Sequence, residues 1–118
     1  MKTHQELLAE TKARIVETSV AEAMGMRARK EPVVFLDVRD LQEVNLGRIP
    51  GAVHISRGNL ESKIEALVPR AATVLIYCAN GNRSAYAADT LSLLGYESVS
   101  SLREGFSGWV GAGGDVEA

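Results

Sequence analysis

The chain has 118 residues, 46% hydrophobic and 24% charged, with a formal net charge of −2. That length suits one domain, and the charge gives no reason to expect nucleic acid or an anionic membrane surface as a partner. No apolar run reaches the about 18 residues a membrane span needs, and a lone cysteine excludes an internal disulfide, which suits a reducing compartment, the cytoplasm.

In chain order, Met1 to Glu10 carries acidic residues and no apolar signal core, so no secretory or transit peptide is expected. Residues 4–15 predict a helix, with Leu7, Leu8, Thr11 and Ile15 on one stripe and Glu10 and Arg14 at a supportive i,i+4 spacing. Residues 1–17 are thus read as a helical extension, packed on the domain or used for self-association, and residues 18–118 as the domain itself. Any strand near Ile15–Thr18 must be very short. Thr18-Ser19 can cap a helix from Val20 to Arg29, with Ala21, Ala23 and Met24 toward the core.

Pro32 precedes Val33–Val38, an apolar run without alternation, hence a strand buried on both faces. Asp40 and Glu43 form a capping-box pattern for a short helix that stops at Gly47. A turn at Ile49-Pro50-Gly51 leads to a third strand, Ala52–Ile55. Leu60, Ile64, Leu67 and Val68 make a helical face that Pro69 ends. Thr73–Ile76, apolar and β-branched, reads as a central strand buried on both faces. A helix over Ser84–Leu94 follows, with Ala87, Leu91 and Leu94 at its spacing and Gly95 as its stop. Ser98–Leu102 is the fifth strand. Gly105 and Gly108 are expected to break up the next segment, Trp109 to pack on the sheet's helices, and Gly111–Gly114 to form a loose tail. Strands alternating with helices imply an α/β, three-layer domain with a parallel sheet.

The chemistry concentrates in Cys78-Ala79-Asn80-Gly81-Asn82-Arg83-Ser84, between the fourth strand and its helix. Ligands of open α/β sheets bind at this carboxyl edge. A short Gly- and Asn-containing loop entering a helix can turn several N–H groups toward one point, and the helix dipole adds to that field. A cysteine placed there ionises more readily than a free thiol, and the thiolate is the nucleophile. Arg83 adds a fixed charge in a planar fork suited to oxyanions. A buried structural cysteine is the plainer reading, but a core thiol gains nothing from a polar Gly/Arg loop.

Cys78 through Ser84 resembles the active-site loop of the rhodanese family of sulfurtransferases. Phe35-Leu36-Asp37-Val38-Arg39-Asp40 with Glu43, then Gly47-Arg48-Ile49-Pro50-Gly51-Ala52-Val53-His54, resembles the family's first signature, and Glu104-Gly105-Phe106-Ser107-Gly108-Trp109 its last. The resemblance spans roughly residues 18 to 117. Arg48 stands where the family commonly has histidine, and Asp115 where it usually has proline. The resemblance implies a five-stranded parallel sheet in the order 3-2-4-5-1, with an edge strand at its start. It also implies a two-step reaction. Cys78 takes the outer sulfur of thiosulfate or a persulfide donor, forming a persulfide, and a thiol or cyanide acceptor then removes it.

On this reading Cys78 is catalytic, Ala79, Asn80, Gly81, Asn82, Arg83 and Ser84 bind substrate through the loop's N–H groups and the guanidinium, and Arg83 either binds the donor or holds the loop. Asp37, Arg39 and Arg57 are supporting residues: Asp37 fixes a helix terminus or Arg39, Arg39 pairs with Glu43, and Arg57 lies near the pocket mouth or in solvent. His54 invites a Cys–His protease reading, but no orienting partner is evident for it. No cofactor or metal is implied. The expected partners are a small anionic donor and an external thiol, possibly on a protein, because the chain has no second cysteine to resolve a loaded Cys78. Neither nucleic acid nor membrane is expected, and the chain is monomer or homodimer. Two other functions compete: a non-enzymatic sulfur relay or binding module of the same fold, and phosphatase or arsenate-reductase chemistry. The latter uses Cys-x5-Arg, whereas Cys78 to Arg83 is one residue shorter, a ring better suited to one sulfur than to a tetrahedral oxyanion.

Overall fold

The computed structural model describes residues 1–118 as five strands and six α-helices. In chain order they are α1 (His4–Arg14), β1 (Glu17–Thr18), α2 (Val20–Ala28), β2 (Val33–Asp37), α3 (Leu41–Val44), β3 (Val53–His54), α4 (Leu60–Leu67), β4 (Thr73–Tyr77), α5 (Asn82–Leu93), β5 (Ser98–Leu102) and α6 (Gly105–Gly111). All strand pairs are parallel, and the sheet order is β1-β5-β4-β2-β3, the implied order read from the other edge.

Strand periodicity divides the core into two layers. Leu36, Val74, Ile76 and Cys78 face Leu60, Ile64 and Val68 of the α4 region and Ala87, Ala88 and Leu91 of α5. Phe35, Leu75 and Tyr77 face Val20 and Ala23 of α2 and Trp109 of α6. Each fully buried Leu, Ile or Val contributes about 1.5–3 kcal/mol. The same parity directs the Cys78 sulfur to the α5 side, where that helix begins.

Four expectations are corrected. Ala21 and Leu67 are exposed, because α2 and α4 turn Val20 with Ala23, and Leu60 with Ile64, inward instead. Gly105 and Gly108 do not break up their segment: both lie within α6, where a side chain at Gly108 would meet Glu104. The segment after it is no loose tail. Gly114 lies against the Trp109 indole, whose Nε1 donates to the Asp115 carbonyl at 2.8 Å. Arg48 and Glu117 exchange backbone hydrogen bonds of 3.0 and 2.9 Å as an antiparallel bridge, with their side chains paired at 3.2 Å. So the two departures from the family pattern, Arg48 and Asp115, both lie where the chain end is fastened.

The first helix lies along α5. Thr3 and Glu6 form its capping box, Thr11 is buried, and Arg14 forks onto Asp89 of α5 at 2.9 and 3.3 Å. Arg14 therefore pairs across the interface, while Glu10 pairs with Lys2.

Candidate active site

The strand β4 ends at Tyr77, and the chain reaches α5 through Cys78-Ala79-Asn80-Gly81. Gly81 has φ +92°, and a Cβ there would stand 2.4 Å from the Arg103 carbonyl oxygen. Gly105 has φ +65°, and its Cβ would stand 2.5 Å from the Ala79 carbonyl oxygen. Both positions demand glycine for conformation and for space. The loop is thus clasped between the end of β5 and the start of α6. Phe106 N–H donates to the Cys78 carbonyl at 2.8 Å, and Ser107 N–H to the Ala79 carbonyl at 3.1 Å. With those carbonyls held toward α6, the N–H groups that follow are free to turn to the sulfur.

Two of them do so. Gly81 N–H lies 3.2 Å and Ser84 N–H 3.3 Å from Cys78 Sγ. The Asn82 N–H goes instead to Asn80 Oδ1, at 3.2 Å. The Ser84 hydroxyl is 3.5 Å from the sulfur and 2.8 Å from the Ser101 hydroxyl, so Ser101 can donate to Ser84 while Ser84 donates to a thiolate. Burial alone would push the Cys78 thiol up. The hydrogen bonds from the Ser84 side chain and from the Ser84, Asn80 and Gly81 backbone outweigh it, and hold the thiol below its ordinary value. The sulfur is fully buried, and exposed Asn80 reaches to 4.0 Å of it.

The supporting residues fall into two constellations. Asp37, at the end of β2, and Arg39 form a buried ion pair: Arg39 Nε donates at 3.0 Å and Nη2 at 2.7 Å, and the Arg39 backbone N–H also donates to Asp37 at 3.0 Å. Arg39 Nη2 donates further to the Gly47 carbonyl, and its guanidinium lies 4.2 Å from the Phe106 ring centroid. Phe106 is the residue whose N–H holds the Cys78 carbonyl, so this pair supports the loop from behind. The expected Arg39–Glu43 pair does not form, because Asp37 already occupies the Arg39 fork.

Glu43 belongs to the second constellation. It accepts from Arg83 Nη1 at 2.7 Å and Nη2 at 3.0 Å, and from the Asp40 N–H at 3.1 Å. One carboxylate thereby caps α3 and clamps the first turn of α5. Arg83 holds Glu43 below the usual carboxylate range, and Glu43 in turn raises Arg83. Arg57 lies apart from the sulfur's contacts, paired with Glu61 at 2.9 Å and Thr90 at 3.1 Å. His54 Nε2 is 2.8 Å from the Arg39 carbonyl oxygen and 3.4 Å from the Ser56 hydroxyl, and no hydrogen bond joins it to Cys78.

Sequence reasoning passed over several residues that build this site. The hydroxyl of Ser101, the second face of Glu43, and the Phe106 and Ser107 N–H groups all act across long sequence separations. In Ser98-Val99-Ser100-Ser101 the alternation breaks at Ser101, a faint signal, since a polar residue at a strand's buried end needs a partner. Glu104 is another: its carboxylate accepts from the Val20 N–H at 2.9 Å and so caps α2. Of three cavities, of about 200, 220 and 240 Å³, none is lined by Cys78. No cluster of three or more His, Cys, Asp or Glu side chains is arranged to hold a metal ion, and no helix is long and apolar enough to cross a membrane.

Residues 19–112 match the family model for the rhodanese-like domain. The chain is 34% identical over 77 residues to the thiosulfate sulfurtransferase GlpE of Tolumonas auensis, covering 65% of this chain and 72% of that one. It is 35% identical over 81 residues to the "Putative sulfur carrier protein YrkF" of Bacillus subtilis, and covers 69% of this chain but only 43% of that longer protein. Among solved structures, RPA3614 of Rhodopseudomonas palustris superposes with a TM-score of 0.87 at 32% identity, over 99% of this chain and 96% of the other. That protein is described as of unknown function and a "Possible Tyrosine Phosphatase".

Proposed function

The chain belongs to the rhodanese-like domain family, and from that premise we propose that it is a sulfurtransferase working through a Cys78 persulfide. The observation that carries this reading is the sulfur's environment: two backbone N–H groups and a hydroxyl converge on Cys78 Sγ within 3.5 Å. Such donors stabilise a negative sulfur without neutralising it, which lowers the thiol's pKa while leaving it nucleophilic. The GlpE likeness supports thiosulfate as one donor.

The steps balance without a cofactor. The Cys78 thiolate attacks the outer sulfur of thiosulfate, a new S–S bond forms, and the old one breaks with its electron pair leaving on sulfite. The product is the Cys78 perthiolate, again a single negative charge in the same cradle. An external thiolate or cyanide then attacks the outer sulfur, takes it, and returns the electron pair to Cys78. The first step can equally run with an alkyl persulfide donor, which leaves as a thiolate, and the second with a protein-borne thiol acceptor. A reducing compartment, the cytoplasm, suits a lone catalytic thiol.

Arg83 has a specific place in this proposal. Its fork is engaged by Glu43, so its role is to hold α3 against the start of α5 rather than to meet the donor. The loop Cys78-x4-Arg83 is the argument against phosphate-ester chemistry, whatever the description of the structural neighbour suggests. A second reading, a sulfur relay that passes the persulfide sulfur to a partner protein, draws support from the likeness to YrkF.

The test is turnover with thiosulfate and cyanide, followed by sulfite and thiocyanate release, beside hydrolysis of an aryl phosphate at equal enzyme. The proposal expects stoichiometric sulfite and thiocyanate, no phosphate release, and no turnover by Cys78→Ser. Saturable phosphate release, or sulfur transfer by that variant, would overturn it.

A further inference from the structure

The helix α1 precedes the segment that matches the family model, yet it reaches the Cys78 loop. Lys12 Nζ donates to Asn82 Oδ1 at 3.2 Å, and Asn82 is the first residue of α5. The helix that carries Lys12 is fixed in place. Arg14 forks onto Asp89, Thr11 is buried, and His4 packs on Tyr86 with ring centroids 6.3 Å apart.

Charge pairing makes Lys12 stand out. Nine of the thirteen lysine and arginine side chains are in ion pairs, including Arg39, Arg57, Arg83 and Arg103 around the sheet's carboxyl edge. Of the remaining four, Arg27 donates to the Pro50 carbonyl and lies over the Phe35 ring, Lys30 is exposed after α2, and Lys63 lines the cavity beside His54. Lys12 alone is bonded to a residue of the Cys78–Ser84 loop, and its partner there is a neutral amide oxygen. An ammonium that exchanges a neutral acceptor for an anion adds a full opposite-charge attraction to the hydrogen bond it already makes. Its flexible four-carbon stem permits the exchange. The Asn82 amide thus holds the ammonium beside the loop in the free chain.

We propose that Lys12, supplied by the N-terminal helix from outside the family segment, is the specificity-determining contact for the anionic end of the sulfur donor. The proposal rests on the sulfur-transfer reading above, and it assigns to Lys12 the charge recognition that Glu43 denies to Arg83. The donor class it selects is one whose non-transferred end carries anionic oxygens, as the sulfonate end of thiosulfate does.

The experiment compares the full-length chain with Lys12→Gln and Lys12→Arg, using thiosulfate and an alkyl hydropersulfide that lacks a sulfonate, each with the same thiol acceptor. Melting temperatures accompany the kinetics, and intact-protein mass records sulfur loading. For Lys12→Gln with thiosulfate, KM should rise by about tenfold or more while kcat stays near the unaltered chain's. The hydropersulfide should be used almost equally by all three, Lys12→Arg should recover most of the loss, and added salt should shrink the difference. Unchanged KM for thiosulfate, or equal losses for both donors, would overturn the proposal, the latter by making Lys12 a brace for the loop. If the unaltered chain takes sulfur from neither donor, the sulfur-transfer reading fails and this proposal falls with it, a result distinct from a failure specific to Lys12→Gln.

Discussion

Arg39 and Arg83 make the same kind of contact at the same edge of the sheet, and they do different work. Each puts two guanidinium nitrogens on a carboxylate, Arg39 on Asp37 and Arg83 on Glu43. The side chains of the first pair are 5% and 0% exposed, and those of the second 37% and 33%. Burial sets the difference. Losing one partner of a buried pair strands a charge where water cannot reach it, whereas a part-exposed pair trades its contacts for hydration. The inner pair is therefore framework, and the outer pair is an adjustable clasp on α3 and α5.

The largest effect should come from breaking the inner pair. Arg39→Ala leaves the Asp37 carboxylate buried and alone and removes the guanidinium from the Phe106 ring, so it should cost about 3–5 kcal/mol of stability by urea unfolding. A loss under about 1 kcal/mol would mean that water reaches Asp37 and that the two arginines do not differ as described.

Next in size is the clasp behind the loop. Gly105→Ala places a Cβ against the Ala79 carbonyl at a positive φ, at a cost of about 1–3 kcal/mol. It should also slow thiosulfate turnover beyond what the fall in stability explains, because the Cys78 and Ala79 carbonyls lose their N–H partners. Equal turnover per folded molecule would remove α6 from the account of the site.

Ser84→Ala is a smaller change, read through pH. A thiol held below its ordinary value is thiolate already at lower pH. In the unaltered chain the rate of sulfur loading should therefore rise with pH to a midpoint below the free-cysteine value of about 8.5 and then level. Removing the hydroxyl should move that midpoint upward. A profile that stays in place would assign the effect to the backbone N–H groups alone.

The smallest expected effect is on the outer pair. Glu43→Gln or Arg83→Ala should cost about 0.2–1 kcal/mol, with the double variant costing less than the two added together. The pH sign follows from Glu43, whose folded value is depressed. Its contribution is present above the unfolded carboxylate's value of about 4.3, and is lost as pH falls through the lower folded one. If Arg83 braces the loop, Arg83→Ala should slow thiosulfate and a hydropersulfide by similar factors. A loss confined to thiosulfate would return Arg83 to the role of donor contact.

Local signals made much of this fold legible. The unalternating runs Val33–Val38 and Thr73–Ile76 marked the central strands, and Pro32 and Gly95 marked where the chain changes element. The capping pattern at Asp40 and Glu43 was readable too, but only half of its meaning, since Arg83 lies forty residues away and meets Glu43 through the topology. The order of strands came from the resemblance, because periodicity says which residues are buried and nothing about which strands are neighbours. The misreadings at the glycines share one cause. Conformational freedom reads Gly105 and Gly108 as breakers and Gly111–Gly114 as a loose tail, whereas at Gly105, Gly108 and Gly114 glycine is required by close approach of Ala79, Glu104 and Trp109. Close approach is a property of packing, and a single sequence does not display it.

The central claim is that the Cys78 cradle holds a negatively charged sulfur and accepts one more sulfur atom. Intact-protein mass after incubation with thiosulfate measures this directly. The account predicts that the unaltered chain gains the mass of one sulfur atom, that a reductant or cyanide removes it, and that Cys78→Ser gains nothing. An unaltered mass for a folded chain supplied with ample thiosulfate, or an equal gain by Cys78→Ser, would contradict it.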